Sequence, residues 1–164
     1  MKKHNLFRSV WTCRILRGGK VISEFFKENA LVDQGELLVL NTFFRGLYIP
    51  DHFFVGLAFG AIGETSTIGM IPNEPSGNGY ARQTLTRDAS GFTVLGMDEG
   101  DYYIQTKTLE ISASGGNIGP INKVFMGAEL VDGTQFLVSY LNTPTEITIY
   151  DGDTFEFSIK IKAM

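Results

Sequence analysis

The stretch Thr154-Phe155-Glu156-Phe157-Ser158-Ile159-Lys160-Ile161-Lys162 decides the fold class. In an extended chain Phe155, Phe157, Ile159 and Ile161 share one face, and Thr154, Glu156, Ser158, Lys160 and Lys162 share the other. Strict alternation of this kind reads as a half-buried β-strand. It recurs upstream in Val124, Met126, Ala128 and Leu130, and in Phe53, Val55, Leu57 and Phe59. Working outward, the pattern predicts strands near 51–59, 80–87, 92–97, 101–113, 122–131, 135–142, 145–150 and 153–162. Turn signals separate them: Asp88-Ala89-Ser90-Gly91, Asp98-Glu99-Gly100, Ser114-Gly115-Gly116-Asn117, Asp132-Gly133, Asn142-Thr143-Pro144 and Asp151-Gly152.

The chain before residue 50 adds a hairpin and one helix. Phe7, Trp11, Cys13 and Ile15 alternate, Gly18-Gly19 follows, and Val21, Ile22, Phe25 and Phe26 lie on both faces of the next run. A hairpin apolar on both sides must be covered on both sides, by its own domain or by a neighbouring subunit. Asp33 and Glu36 have capping-box spacing, and Gly46 suits a C′ position, so a helix is expected from about 34 to 45. Leu37, Leu40 and Phe44 lie along its predicted core face, with Val39 and Phe43 flanking. Gly35 in the first turn is a small helix penalty. The predicted architecture is mainly β: an antiparallel β-sandwich or jelly-roll-like domain over 1–164, with an N-terminal hairpin over 1–28 and a helix over 33–46.

Residues 60–79 break the pattern with glycines, prolines and Ser/Thr, and so long a loop inside a compact domain tends to be functional or ordered by a partner. It leads into Asn73-Glu74-Pro75-Ser76-Gly77-Asn78-Gly79-Tyr80-Ala81-Arg82-Gln83-Thr84-Leu85, turn chemistry followed by strand chemistry. Tyr80, Arg82 and Thr84 share a face there. An Arg at position 82 can hold a carboxylate bidentately, Glu74 being one nearby candidate in sequence, or donate to backbone carbonyls of the irregular loop. Either use makes it an anchor for the loop or for subunit assembly.

Composition excludes several classes of function. A net charge of −4, with no Lys/Arg run, gives no stripe for tracking phosphates, so no direct nucleic-acid binding is expected. Met1-Lys2-Lys3-His4 reads as a solvated end. Arg8 and Arg14 interrupt the apolar residues that a signal peptide would need, and no apolar run approaches the roughly 18 residues of a membrane helix. The expectation is a soluble chain with no membrane partner. The lone Cys13 permits no intrachain disulfide, which fits a reducing cytoplasm. His4 and His52 are the only histidines, too few for a multi-histidine metal site, and no Gly-x-Ser-x-Gly elbow or P-loop is present. No cofactor or metal is expected. Asp98, Glu99 and Asp101 offer carboxylates for glycan hydrolysis or Ca²⁺. They share one tight turn, whereas glycosidase chemistry needs two carboxyls facing across a cleft.

Several short motifs carry a resemblance. Gly79-Tyr80-Ala81-Arg82-Gln83 resembles an element found in small structural proteins of tailed-bacteriophage virions. Lys27 through Glu36 is similar to their segment entering the helix, and Phe54-Val55-Gly56-Leu57 to the strand that follows. Ile118-Gly119-Pro120-Ile121 and Ile147 through Phe157, with Asp151-Gly152-Asp153, resemble their later strands and final turn. The resemblance covers about residues 20–162 and implies a non-enzymatic virion component, assembled in the host cytoplasm. Such a protein would decorate the capsid, sit at the neck, or belong to a tail or fibre, joining other virion proteins as a homo-oligomer. Gly79, Tyr80, Ala81, Arg82 and Gln83 carry over as the family element, with no catalytic role. The alternative expectation is a tail-fibre or receptor-binding module, with loop 60–79 or Tyr102-Tyr103 contacting a host-surface glycan.

Overall fold

The computed structural model describes residues 7–163. Ten strands form there: β1 (Phe7–Arg17), β2 (Lys20–Ala30), β3 (Pro50–Ala58), β4 (Gln83–Thr86), β5 (Val94–Asp98), β6 (Asp101–Gln105), β7 (Leu109–Ser112), β8 (Ile118–Leu130), β9 (Gln135–Ile149) and β10 (Asp153–Ala163). They make two antiparallel sheets. The first runs β2-β1-β10-β6-β5, with β7 also paired to β10, and the second runs β4-β3-β8-β9. The fold is a β-sandwich with one short helix and an N-terminal hairpin.

β10, the strand whose alternation is cleanest, sits centrally in its sheet, in register with β1 through Trp11↔Ile159, Cys13↔Phe157 and Ile15↔Phe155. These side chains are buried against Val55, Leu57, Val124 and Met126 of the second sheet. The hairpin turns through Gly18 and Gly19 at φ 55° and 75°, the left-handed pair that a two-residue turn matched to strand twist requires. Its described part runs Phe7–Ala30, two residues past the expected end at 28, and the start of the expected 1–28 segment, with the basic end Met1–His4, lies outside the described residues. β2 is the free edge of its sheet. Phe25 packs inward on Phe155, while Val21, Ile22 and Phe26 remain exposed. Cross-strand pairs Arg14–Glu24 and Arg8–Glu28 put charge on the outer side of that edge.

Four strand boundaries differ from the sequence reading, each for a local reason. The expected strand 101–113 is two strands, because Thr106 turns inward. Its amide donates to the Ile159 carbonyl, and its hydroxyl accepts from the Ile159 amide. The expected pair 135–142 and 145–150 is one strand. Asn142-Thr143-Pro144 makes a bulge instead of a turn, since Lys123 and Ile121 of β8 pair with Asn142 and Ile147. β8 begins at Ile118, ahead of the expected 122. β4 begins at Gln83, so Tyr80 and Arg82 precede the strand instead of opening it.

β3 is buried on both faces, not one. Phe53, Val55 and Leu57 face the first sheet. Phe54 and Ala58 face the other way and join Phe125 and Leu137 in a second core, covered by Ile62, Ile68 and Ile71 of loop 60–79. That loop, including the 3₁₀ turn Ile68–Met70, roofs the outer side of the second sheet.

The helix requires the largest correction. α1 (Asp33–Leu40) continues as a π-helical turn, Asn41–Arg45, and stops at Gly46 with φ 64°. Val32 is the N-cap and makes no side-chain cap bond, so Asp33 is the first helical residue and not the cap. The core face is the opposite of the expected one: Gly35, Leu38 and Asn41 are buried, whereas Leu37, Leu40, Phe43 and Phe44 are exposed. The reason lies in Gly35. A Cβ there would stand 2.3 Å from the Val138 carbonyl oxygen, so only glycine lets the helix backbone rest on β9. Gln34 completes the contact, its side-chain oxygen accepting from the Leu137 amide of β9 at 2.9 Å, while the buried Asn41 side chain donates within the helix to the Leu37 carbonyl at 2.9 Å.

Gly35→Ala separates local from tertiary preference. In an isolated helix alanine would gain about 1 kcal/mol over glycine. Here the clash is with backbone, which cannot swing aside, so the expected outcome is a loss of about 1–3 kcal/mol in denaturant unfolding. Equal or greater stability would show that the close approach to β9 imposes no constraint.

Candidate functional site

The site begins with two glycines. Across the β3–β8 ladder Phe54 pairs with Gly127, and Gly56 pairs with Phe125. A Cβ on Gly127 would lie 2.3 Å from the Phe54 ring, and one on Gly56 would lie 2.5 Å from the Phe125 ring. Each ring therefore lies down over the bare backbone of the opposite glycine. The Arg82 guanidinium sits over both rings, 4.8 Å from the Phe54 centroid and 5.4 Å from that of Phe125.

Glu74 closes the stack from the loop side. Arg82 Nε donates to Glu74 Oε1 at 2.8 Å and Nη2 to Oε2 at 2.7 Å, a bidentate pair about one-quarter exposed. The third nitrogen, Nη1, reaches Gln135 at 3.4 Å, and Gln135 in turn donates to Glu129. The Tyr80 hydroxyl donates to Glu74 Oε1 at 2.7 Å and accepts from the Leu57 amide at 2.9 Å, beyond the point where β4 stops pairing with β3. Burial holds the Tyr80 phenol well above its ordinary range, so it stays protonated and able to donate. Hydrogen bonds to Glu74 hold the Arg82 guanidinium charged still more firmly than usual.

The rest of the element fixes where these side chains start. Gly79 has φ 82°, and a Cβ on it would meet the Ser112 carbonyl oxygen at 2.6 Å, so both conformation and space demand glycine. The neighbouring Asn78 carbonyl accepts from Ser114, and its side chain donates to the Asn117 carbonyl at 2.7 Å. Gln83 bonds back to the Ala81 carbonyl and begins β4, while Ala81 itself is exposed. Tyr80 and Arg82 thus converge on Glu74. Gly79, Ala81 and Gln83 set the backbone around them. The arrangement is a latch that holds the loop 60–79 roof against the sheet.

The other candidate residues are dispersed. Asp98, Glu99 and Asp101 form the β5–β6 turn, where Lys160 bonds Asp98 at 2.8 Å and Lys162 lies 3.6–3.8 Å from all three carboxylates. Lys160 also depresses the Asp98 carboxyl below its usual range. Two lysines thus offset most of the charge of the three carboxylates, which sit together in one hairpin turn. Lys160 covers the Tyr103 ring at 3.9 Å, while Tyr102 is exposed. Cys13 is buried, and burial pushes its thiol up to about 12, which makes it inert as a nucleophile. His52 pairs with its neighbour Asp51. Among the described residues no group of three or more His, Cys, Asp or Glu is placed to hold a metal, and no helix is long and apolar enough to cross a membrane.

Sequence reasoning missed an apolar end of the molecule. Between the helix and the first sheet lies an open groove of about 600 Å³, lined by Leu38, Val39, Phe43, Phe92, Ile104 and Ile161. Beside it Phe43 and Phe44 are 81% and 76% exposed, their rings 5.6 Å apart. A signal was present. Leu37 to Phe44 carries no charge on any face, which is unusual for a surface helix.

Arg82→Ala is expected to leave the sandwich intact, quicken amide exchange in loop 60–79, and lower stability by about 1–2 kcal/mol, a partly exposed charged pair being worth less than a buried one. Glu74→Gln should act in the same direction. Unchanged exchange in both variants would show that the latch does not hold the roof.

No protein-family model, curated protein or solved structure matches the chain.

Proposed function

We propose that the chain is a non-enzymatic structural subunit of a tailed-bacteriophage virion, assembling with itself and with other head, neck or tail proteins. The observation that carries the assembly part is the helix. It buries Gly35, Leu38 and Asn41 against β9, yet presents Leu37, Leu40, Phe43 and Phe44 on its outer side. An outer helix face that exposes four large apolar side chains is ordinarily covered, and a subunit contact supplies the cover. The virion part rests on the ordered motifs, chiefly Gly79 through Gln83. The structural work done by Tyr80, Arg82 and Glu74 agrees with an element that shapes a fold instead of performing chemistry. Three carboxyls held below their usual range favour the same reading, since each has a structural partner: Asp153 with Arg17, Asp88 with Ser90 and Thr86, Asp98 with Lys160.

The test is the native mass of the purified chain, together with mass spectrometry and image reconstruction of particles from a phage that encodes it. The expected outcome is a multimer in solution and a fixed copy number per particle. A monomer missing from purified particles would overturn the proposal.

A further inference from the structure

We infer that the groove beside the helix receives the Phe43–Phe44 ridge of a second copy of this chain. The inference rests on the subunit reading above and names the contact surface that reading leaves open.

The groove has two apolar walls. One is the helix, through Leu38, Val39 and Phe43. The other is the inward side of the first sheet, where Ile161 of β10 pairs with Ile104 of β6, and Ile104 with Leu95 of β5. β5 and β6 carry this inward side past the sandwich core, so Leu95, Met97 and Tyr102 stay 76%, 59% and 63% exposed. Leu40, Phe43, Phe44, Leu95, Met97 and Tyr102 together offer on the order of 800 Å² of largely apolar surface. It matches the roughly 800 Å² that one partner buries in a standard interface.

The geometry selects the occupant. A small apolar ligand in the groove would leave Phe44, Met97 and Tyr102 in water, because they stand outside it. A second copy covers ridge and groove together. Both features lie at one end of the same chain, so each copy carries the complement of the other, which is what a closed symmetric contact requires. The outer helix face from Leu37 to Phe44 carries no charge, and the two charged residues of the groove lining, Arg87 and Asp88, are of opposite sign.

The experiment measures the native mass and self-association constant of the full chain, its Phe44→Asp variant, which changes the ridge without touching the groove lining, and an Ala89→Trp variant that fills the groove from its rim. These positions are exposed, so circular dichroism should report an unchanged sandwich. Each variant is expected to weaken self-association by at least about 30-fold, the shift of a hot-spot residue. Mixing the two should restore a contact, since the intact ridge of the Trp variant meets the intact groove of the Asp variant. Separate Phe44→Cys and Ala89→Cys chains, mixed under oxidation, should cross-link to each other, the buried Cys13 staying silent. A parent chain that is monomeric at every concentration, or that binds a single-chain amphiphile in the groove instead, overturns the inference. A multimer, or a particle-bound protein, that is unaffected by both variants also overturns it, while leaving the structural-subunit proposal standing.

Discussion

The second sheet depends on two phenylalanine rings lying flat on glycine. Phe54 over Gly127 and Phe125 over Gly56 give the outer side of β3 and β8 a smooth aromatic floor at the cost of two side chains. The Arg82 guanidinium rests on this floor. Seated there, it holds Glu74 through two nitrogens. Each layer therefore presupposes the one beneath: glycine, ring, arginine, carboxylate, roof. A methyl group at either glycine would lift a ring and tilt everything above it.

The same floor explains why the two sheets are treated differently. The first sheet has one buried side and an outer side patterned with ion pairs such as Arg14–Glu24 and Lys160–Asp98. The second is buried on both sides, between the sandwich core and the loop roof. Sheet-on-sheet burial needs alternation alone. The roof is irregular backbone with few ladder bonds of its own, so it must be held by side chains. Tyr80, Arg82, and Asn73 donating to the Phe59 carbonyl do that holding.

What could be read from the sequence follows this division. The class of the fold was legible in Phe155 to Ile161 and in the Gly18-Gly19 turn, because period and turn chemistry are local. The Arg82–Glu74 pairing was legible as a possibility, because an arginine so close to a lone carboxylate has few other uses for its fork. The helix face was not. Apolar periodicity identifies a side that avoids water but not which body covers it, and the glycine that seats this helix looked like a simple penalty. The bulge at Asn142-Thr143-Pro144 carried the same letters as a turn. Only its pairing with β8 keeps the strand continuous.

The latch also imposes an order on events. Glu74, Tyr80 and Arg82 are near neighbours in sequence, so bringing them together costs little chain entropy. Phe54 and Phe125 are far apart in sequence and meet only when β3 has paired with β8. Until that ladder exists the latch has nothing to close on. The roof therefore closes only after that ladder has formed, and it can lift while the ladder stays paired. That makes the roof a separate cooperative unit, which amide exchange under native conditions resolves from the sandwich.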